Sequence, residues 1–438
     1  MVKFSMQKRR MIFRIAPFNR ISFPVLLNAW ESRQMDRHFE IIIRETPLTL
    51  EPFQEIRKDD VVLFSFMTPH LPLIHEEIKA LKGTGAIIAG GGPHITYEQE
   101  LVLEMGFHIL FIGPGETNFL TFGRDLLEHN LGEIKIYPFP TPGTNTGDIN
   151  TYVPITKYMQ GIPPLEIMRG CSWNCNYCAT GLQTAIYRDL DSIKNFLHQA
   201  STSAQKISRI NFICPSAMEY QSPKGVRRQH EKSLAKIAEL LRLTHAYHFK
   251  FIEYGIFPSE IRPDTVSTEG IEILKKYVSH KSITLGAQSG SDQRLKELKR
   301  AHTTADIERA AAIVNDCGFL AYLDFIVAYP DETPEERKET LQFIKKLYKK
   351  YRVRTQLHYF FPLPGSTYAF RFPAFLSENE KTALHELKEN GISRDGWIEN
   401  EKQMIHYFKW LKQNFPAYYS RYRGAVNEEI SPLDNKPY

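Results

Sequence analysis

Short β-branched apolar runs alternate with stretches of helical period along most of this chain. Met11 to Ala16, Phe39 to Ile43, Val61 to Phe66, Ala86 to Ala89 and Ile109 to Ile112 read as strands, separated by segments with apolar positions at helical spacing. Such alternation predicts an α/β domain over residues 1–130, built on a Rossmann-like, doubly wound and mostly parallel sheet. Two of the runs lead into glycine-rich turns, Gly90-Gly91-Gly92-Pro93-His94 and Gly113-Pro114-Gly115-Glu116. Ligands of such sheets sit at the carboxyl ends of strands, so Gly91, Gly92, Gly113 and Gly115 are candidates for close approach of a bound group. The plainer reading is that these glycines only turn the chain ahead of a helix.

Residues 131–164 are rich in Pro, Gly, Thr and Asn, centred on Pro138-Phe139-Pro140-Thr141-Pro142-Gly143, and are expected to be a linker. Over 165–363 the alternation returns. Leu165 to Met168, Ile207 to Ile213, Phe249 to Tyr254, Ser282 to Ala287, Leu320 to Ala328 and Thr355 to Phe360 suggest a partial, TIM-like (βα)6 barrel, whose active site would lie at the carboxyl ends of its strands. Residues 364–438 read as helical, with Glu378 to Glu389 and Lys402 to Phe415 the clearest segments; Trp397 and Trp410 are expected to anchor that region's core.

Composition is that of an ordinary globular protein: 438 residues, 42% apolar and 24% charged, with a net charge of +5. The basic residues are dispersed, so nucleic acid is permitted but not argued for. The stretches Lys224 to His230 and Lys345 to Tyr351 invite an RNA reading, although cations at the end of a helix are favoured by its dipole in any case. The chain shows no apolar segment long enough to span a membrane and no signal-peptide pattern at Met1 to Ala16. Five cysteines form no disulfide framework, which suits a reducing cytoplasm.

Three of those cysteines fall within eight residues, Cys171-Ser-Trp-Asn-Cys175-Asn-Tyr-Cys178. Structural zinc takes four protein ligands and a fully ligated iron–sulfur cluster four cysteines, so three thiols leave one metal position open to a small molecule. Zinc would need a further ligand, and the next histidine, His198, stands far outside the usual spacing. A disulfide cannot pair three cysteines.

The C-x3-C-x2-C spacing, with Tyr177 before its last cysteine, resembles the radical AdoMet (radical SAM) enzymes. The resemblance implies a 4Fe–4S cluster held by Cys171, Cys175 and Cys178, S-adenosylmethionine on the open iron, and reductive cleavage to a 5′-deoxyadenosyl radical. It also implies an external one-electron donor such as a flavodoxin or ferredoxin. The two glycine-rich turns resemble the cobalamin (B12)-binding domain that precedes many such barrels, which would make cobalamin a second cofactor and methyl transfer to an unactivated carbon a candidate reaction. The cobalt-ligating Asp-x-His-x-x-Gly of that domain is absent: the corresponding loop reads Pro17-Phe18-Asn19-Arg20-Ile21-Ser22-Phe23-Pro24. Without cobalamin, rearrangement, coupling or cyclisation is the alternative, and a non-catalytic cluster or cobalamin sensor is another.

Further along, Gly286-Ala287-Gln288-Ser289-Gly290-Ser291 is similar to segments lying near the AdoMet ribose, which puts Tyr177, Gln288 and Ser289 forward as AdoMet contacts. Asp324 to Thr333 resembles the fifth-strand motif along the adenine, with Ala328 where the family often has glycine. Cys214-Pro215-Ser216 stands where the family commonly has Gly-Gly-Glu, leaving the AdoMet amino contact without a residue; Cys214 itself reads as a small buried apolar side chain. The methylthiotransferase branch also has extra cysteines near its N-terminus, and none precedes Cys171 here. No catalytic acid, base or substrate follows from these motifs.

Overall fold

The structure, a computed structural model, describes residues 8–49, 56–139, 148–222 and 231–424. The basic stretch at 224–230 and the centre of the Pro-rich segment at 140–147 lie outside the described residues. Two compact units divide at Pro164/Leu165, with 203–205 belonging to the first.

The first unit is built on six parallel strands: β1 (Arg9–Arg14), β2 (Phe39–Arg44), β3 (Val61–Ser65), β4 (Ile87–Gly91), β5 (Ile109–Phe111) and β6 (Lys135–Tyr137), in the order β2-β1-β3-β4-β5-β6. All five residues of β3 are buried, as expected of a strand covered on both faces. Trp30 stacks on Phe119 at 4.5 Å on one face of the sheet, in a cluster that also holds Phe13, Phe122 and Met159.

Strand β6 corrects the linker reading of 131–164. Lys135–Tyr137 pairs in parallel with β5, and Asn28 binds both Val153 N and Ile155 O, so the described part of this segment completes the first unit. Three residues at a sheet edge, with Ile136 exposed, carry too little apolar pattern to read as a strand.

The second unit holds β7 (Leu165–Glu166), β8 (Met168–Arg169), β9 (Ile186–Tyr187), β10 (Arg209–Ile213), β11 (Phe251–Glu253), β12 (Ser282–Gln288), β13 (Leu320–Val327), β14 (Arg354–Tyr359) and β15 (Ser393–Arg394). Parallel ladders run β7-β10-β11 and β12-β13-β14-β15, and a parallel bridge between Ile261 and Leu285 joins the two rows. The six expected barrel strands are present. The helical region beyond 363 adds a seventh, β15, which pairs with β14 through Thr355 and Gln356; two residues between helices give no legible period. Trp397 and Trp410 are buried in that region, as expected. Among the described residues no helix is long and apolar enough to cross a membrane.

Candidate active site

The cysteine loop leaves the barrel after its first strand and is pinched at its base. β8 and β9 form a short antiparallel ladder, and Cys171 N donates to Gln183 O at 3.1 Å. Trp173, inside the loop, is held on its edge and on its face. Its Nε1 donates to Glu219 Oε2 at 2.7 Å, and the Arg262 guanidinium lies 3.6 Å from the ring centroid. Glu219 also accepts from Ser216, so the stretch standing in place of Gly-Gly-Glu braces the loop from behind.

Cys171, Cys175, Tyr177 and Cys178 line one cavity of about 780 Å³, within the size range of small-molecule sites. Burial pushes the Cys171 thiol up to about 11, so loading metal on it releases a proton. Cys175 Sγ accepts from Arg300 Nη1 at 3.6 Å. Cys178 Sγ accepts from Thr180 N at 3.4 Å.

Facing the loop across the cavity is Gly286 on β12. A Cβ there would come within 3.0 Å of Gln288 Nε2, 3.2 Å of Arg300 Nη2 and 3.4 Å of Glu260 Oε2. Three polar side chains thus converge on a space that only glycine leaves open. Gln288 adopts φ 72°, in the left-handed region, at a register shift in the β12–β13 ladder; a non-glycine residue held there marks a local strain of the kind found at ligand sites. Its Oε1 has no hydrogen-bond partner although buried. Glu260 and Asp324 hydrogen-bond each other, and burial followed by the neighbouring carboxylate raises Asp324 to about 8; burial raises Glu260 as well. The pair therefore holds a proton at neutral pH.

Not every sequence-derived residue reaches the cavity. Ser289 is fully buried and its hydroxyl meets Thr340 Oγ1 at 3.3 Å and Ser291 N at 3.2 Å, bracing the turn instead of facing a ligand, because it is one position out of phase with Gly286 and Gln288. Cys214 is buried against Met168 and Tyr254, and burial pushes its thiol to about 12, in line with its apolar reading. Ala328 adopts φ 65°, which accounts physically for a position where glycine is common. Arg300, Glu260, Arg262, Gln356, His358 and Arg394 also line the cavity; Glu260 and Arg262 belong to the polar, proline-bracketed stretch Phe257 to Pro263 that the sequence places at the active-site end, and Arg300 follows the Gln288 segment, whereas Gln356, His358 and Arg394 were not singled out from sequence. Alternation along the barrel strands would have found Gln356 and His358.

In the first unit, the order β2-β1-β3-β4-β5 places the topological switch between β1 and β3, where open sheets of this kind bind ligands. Asn19 bridges that point. Its Nδ2 donates to Arg14 O at 2.9 Å and Ser65 O at 3.1 Å, while its Oδ1 accepts from Ala16 N at 2.8 Å. Gly92 (φ 105°) packs its Cα against the Phe66 backbone, and the Phe139 ring covers Gly113 (φ 75°). A Cβ on Gly115 would come within 3.1 Å of Leu26, whereas one on Gly91 would make only ordinary contact with Phe111 at 3.5 Å. His94 is buried, with Nδ1 3.1 Å from Thr68 Oγ1; burial lowers it to about 3, so it is a neutral hydrogen-bonding residue.

Comparison with known proteins agrees with both halves of this description. The family model of the radical SAM superfamily matches residues 165–344, and that of the B12 binding domain matches residues 33–122. An uncharacterised protein of Methanocaldococcus jannaschii is 22% identical over 377 residues, covering 74% of this chain and 72% of that protein. A tRNA-2-methylthio-N(6)-dimethylallyladenosine synthase of Photobacterium profundum is 28% identical over 51% of this chain. The chain spans only about half the length of several such relatives, 46% of the Photobacterium enzyme. Among solved structures, the radical S-adenosylmethionine methyltransferase TsrM of Kitasatospora setae, with cobalamin and a 4Fe–4S cluster bound, superposes with TM-score 0.57 at 16% identity over 83% of this chain and 74% of that one, a likeness of fold. With a cysteine loop at the mouth of a partial barrel and a B12-binding-type sheet earlier in the sequence, the chain carries a radical SAM domain over residues 165–344 and a B12 binding domain over residues 33–122.

Proposed function

We propose that this protein is an enzyme that holds one 4Fe–4S cluster on Cys171, Cys175 and Cys178 and cleaves S-adenosylmethionine to a 5′-deoxyadenosyl radical. One observation carries the reading: the three thiols line the same cavity in which Arg300, Gln288 and Glu260 converge over Gly286. The residues fit the cofactors. When bound, the cluster supplies the electron that breaks a carbon–sulfur bond of AdoMet, and an external one-electron donor restores it. Arg300, fully charged and directed at Cys175, suits the AdoMet carboxylate. Gln288 and the Glu260–Asp324 pair suit the ribose hydroxyls, and Tyr177, packed on Tyr329 at 5.7 Å, walls the cavity from water. Anaerobic reconstitution followed by assay for 5′-deoxyadenosine tests this reading.

The B12-binding match favours a corrinoid in the first unit and, with it, methyl transfer to an unactivated carbon. The β1 loop offers no histidine to cobalt, and Asn19 there is committed to backbone groups. A corrinoid would bind without a protein histidine from that loop and would have to move the Phe139 ring off Gly113. The visible spectrum of the protein reconstituted with hydroxocobalamin decides it: a retained corrinoid band supports methyl transfer. Its absence leaves rearrangement, coupling or cyclisation.

A further inference from the structure

The cavity extends well past the groups that face the cysteine loop. On β12 it is lined by Ser282, Thr284, Gly286 and Gln288, alternate positions from the amino to the carboxyl end of a seven-residue strand. At about 3.3 Å per residue, this makes it roughly 20 Å deep. Closed eight-stranded barrels fill that space with layers of branched aliphatic side chains. Here the layers are polar on one side. Asp324 on β13 stands opposite Gln356 on β14, and Gln356 opposite Arg394 on β15, so the three line the cavity as one row across three strands. His358, also lining it, lies two residues further along β14.

Arg394 is what the helical C-terminal region contributes to the barrel. Its strand is short but fixed: Thr355 N donates to Ile392 O at 3.0 Å, and buried Ser393 donates to Thr355 O at 3.3 Å. The Arg394 guanidinium stands 5.3 Å from the Tyr322 ring, and among the described residues it forms no ion pair with a carboxylate. Asp324, the acid of the same row, faces Glu260 and holds a proton with it near neutral pH. Burial lowers His358, which is hydrogen-bonded to Asn400, so its imidazole is neutral. An exposed guanidinium with no ion pair among the described residues, a carboxamide whose Nε2 also reaches Leu357 O at 3.5 Å, and a neutral imidazole share one wall and offer donors to an anion.

We propose that the β14–β15 wall is a substrate subsite for an anionic group, a carboxylate or a phosphate, with Arg394 as its cation and Gln356 and His358 as its neutral partners. The inference rests on the radical SAM reading and deepens it: the substrate is a small molecule that enters the barrel with a negatively charged end at β15.

The test is the rate at which phenylglyoxal modifies Arg394 in the reconstituted, AdoMet-loaded protein, followed by peptide mass spectrometry with exposed Arg37 as internal reference. Glutarate, inorganic phosphate and neutral glutaramide are the probes. Glutarate or phosphate is expected to slow Arg394 by about fivefold relative to Arg37 at roughly four times its Kd, and glutaramide to leave it unchanged. Protection by glutarate assigns the subsite to carboxylates, and protection by phosphate to phosphates. A ratio of the two rates that no probe changes, or protection by glutaramide to the same extent, overturns the proposal. Failure of the wild-type protein to form 5′-deoxyadenosine would instead strike the radical SAM reading, so the two failures are separable.

Discussion

The Arg262 guanidinium lies 3.6 Å from the centroid of the Trp173 ring, and both side chains are buried. This contact ties the proline-bracketed loop after β11 to the inside of the cysteine loop. Arg262 also pairs with Asp264 at 3.2 Å and donates to Arg300 O, so one side chain positions both the loop that carries the thiols and the cation beside Cys175. Replacing Arg262 by Gln removes a desolvated cation–π contact and leaves Asp264 with an uncompensated buried charge, a combined loss of about 3 kcal/mol. Arg262→Gln is expected to lower the urea midpoint accordingly and to hold less iron after reconstitution. Arg262→Lys keeps the charge and is expected to recover part of both. Full iron content and an unchanged midpoint in the Gln variant would show that the clamp does not matter.

The Glu260–Asp324 pair sets a pH dependence of stability. An acid whose pKa is raised by folding takes up a proton as the chain folds. Its contribution is therefore complete below the unfolded carboxylate range, near pH 4, and is lost as pH rises through the folded value of about 8. Asp324→Asn cannot ionise, so its stability should fall less between pH 5 and 9 than that of the wild type, by on the order of 1–3 kcal/mol. Parallel slopes for the two proteins in urea titrations across this range would contradict a shared proton.

His94 predicts the opposite limb in the first unit. Burial depresses its folded pKa to about 3, so the stability it contributes is present above the unfolded value near 6.5 and is lost as pH falls toward 3. Each pH unit below 6.5 should cost about 1.4 kcal/mol from this group. His94→Phe should flatten the acid limb when unfolding of the first unit is followed by hydrogen exchange in the β3 and β4 amides. An unchanged acid limb would show that His94 is solvated.

Ala328 holds φ 65°, where a Cβ costs about 1–2 kcal/mol, while its N–H is taken by Glu332 Oε2 at 2.7 Å. Glycine relieves that strain at an entropic cost of about 0.5–1 kcal/mol. Ala328→Gly should thus raise stability by roughly 0.5 kcal/mol, read as a higher urea midpoint; a fall of 1 kcal/mol, normal for Ala to Gly elsewhere in a strand, would contradict it.

The strands of both units were legible because parallel strands are apolar in short runs bounded by turns, and β3 and β13 are clear cases. β6 and β15 were not: each is two or three residues long, and sheet edges at that length carry no period. The thiols were readable from spacing alone, whereas the groups around them were not. From sequence the stretch Phe257 to Pro263 reads as an active-site-end loop, but it does not reveal that the fold buries Arg262 and Arg300 beside the thiols, nor that Glu260 meets Asp324 where the loop after β11 folds back beside β12. The phase of β12 separates Gln288 from Ser289, a distinction that a motif match cannot make. The run Lys345 to Tyr351 is a helix end whose Lys346 and Lys350 pair with Glu308.

The claim that Cys171, Cys175 and Cys178 hold a cluster that cleaves AdoMet is tested most directly by one measurement. Protein reconstituted with iron and sulfide under strict anaerobiosis, reduced and incubated with AdoMet, is assayed for 5′-deoxyadenosine beside a Cys175→Ala variant. The wild type should form 5′-deoxyadenosine and the variant essentially none. Its absence from wild-type protein that carries a reduced 4Fe–4S signal, or its equal formation by both proteins, would contradict the assignment.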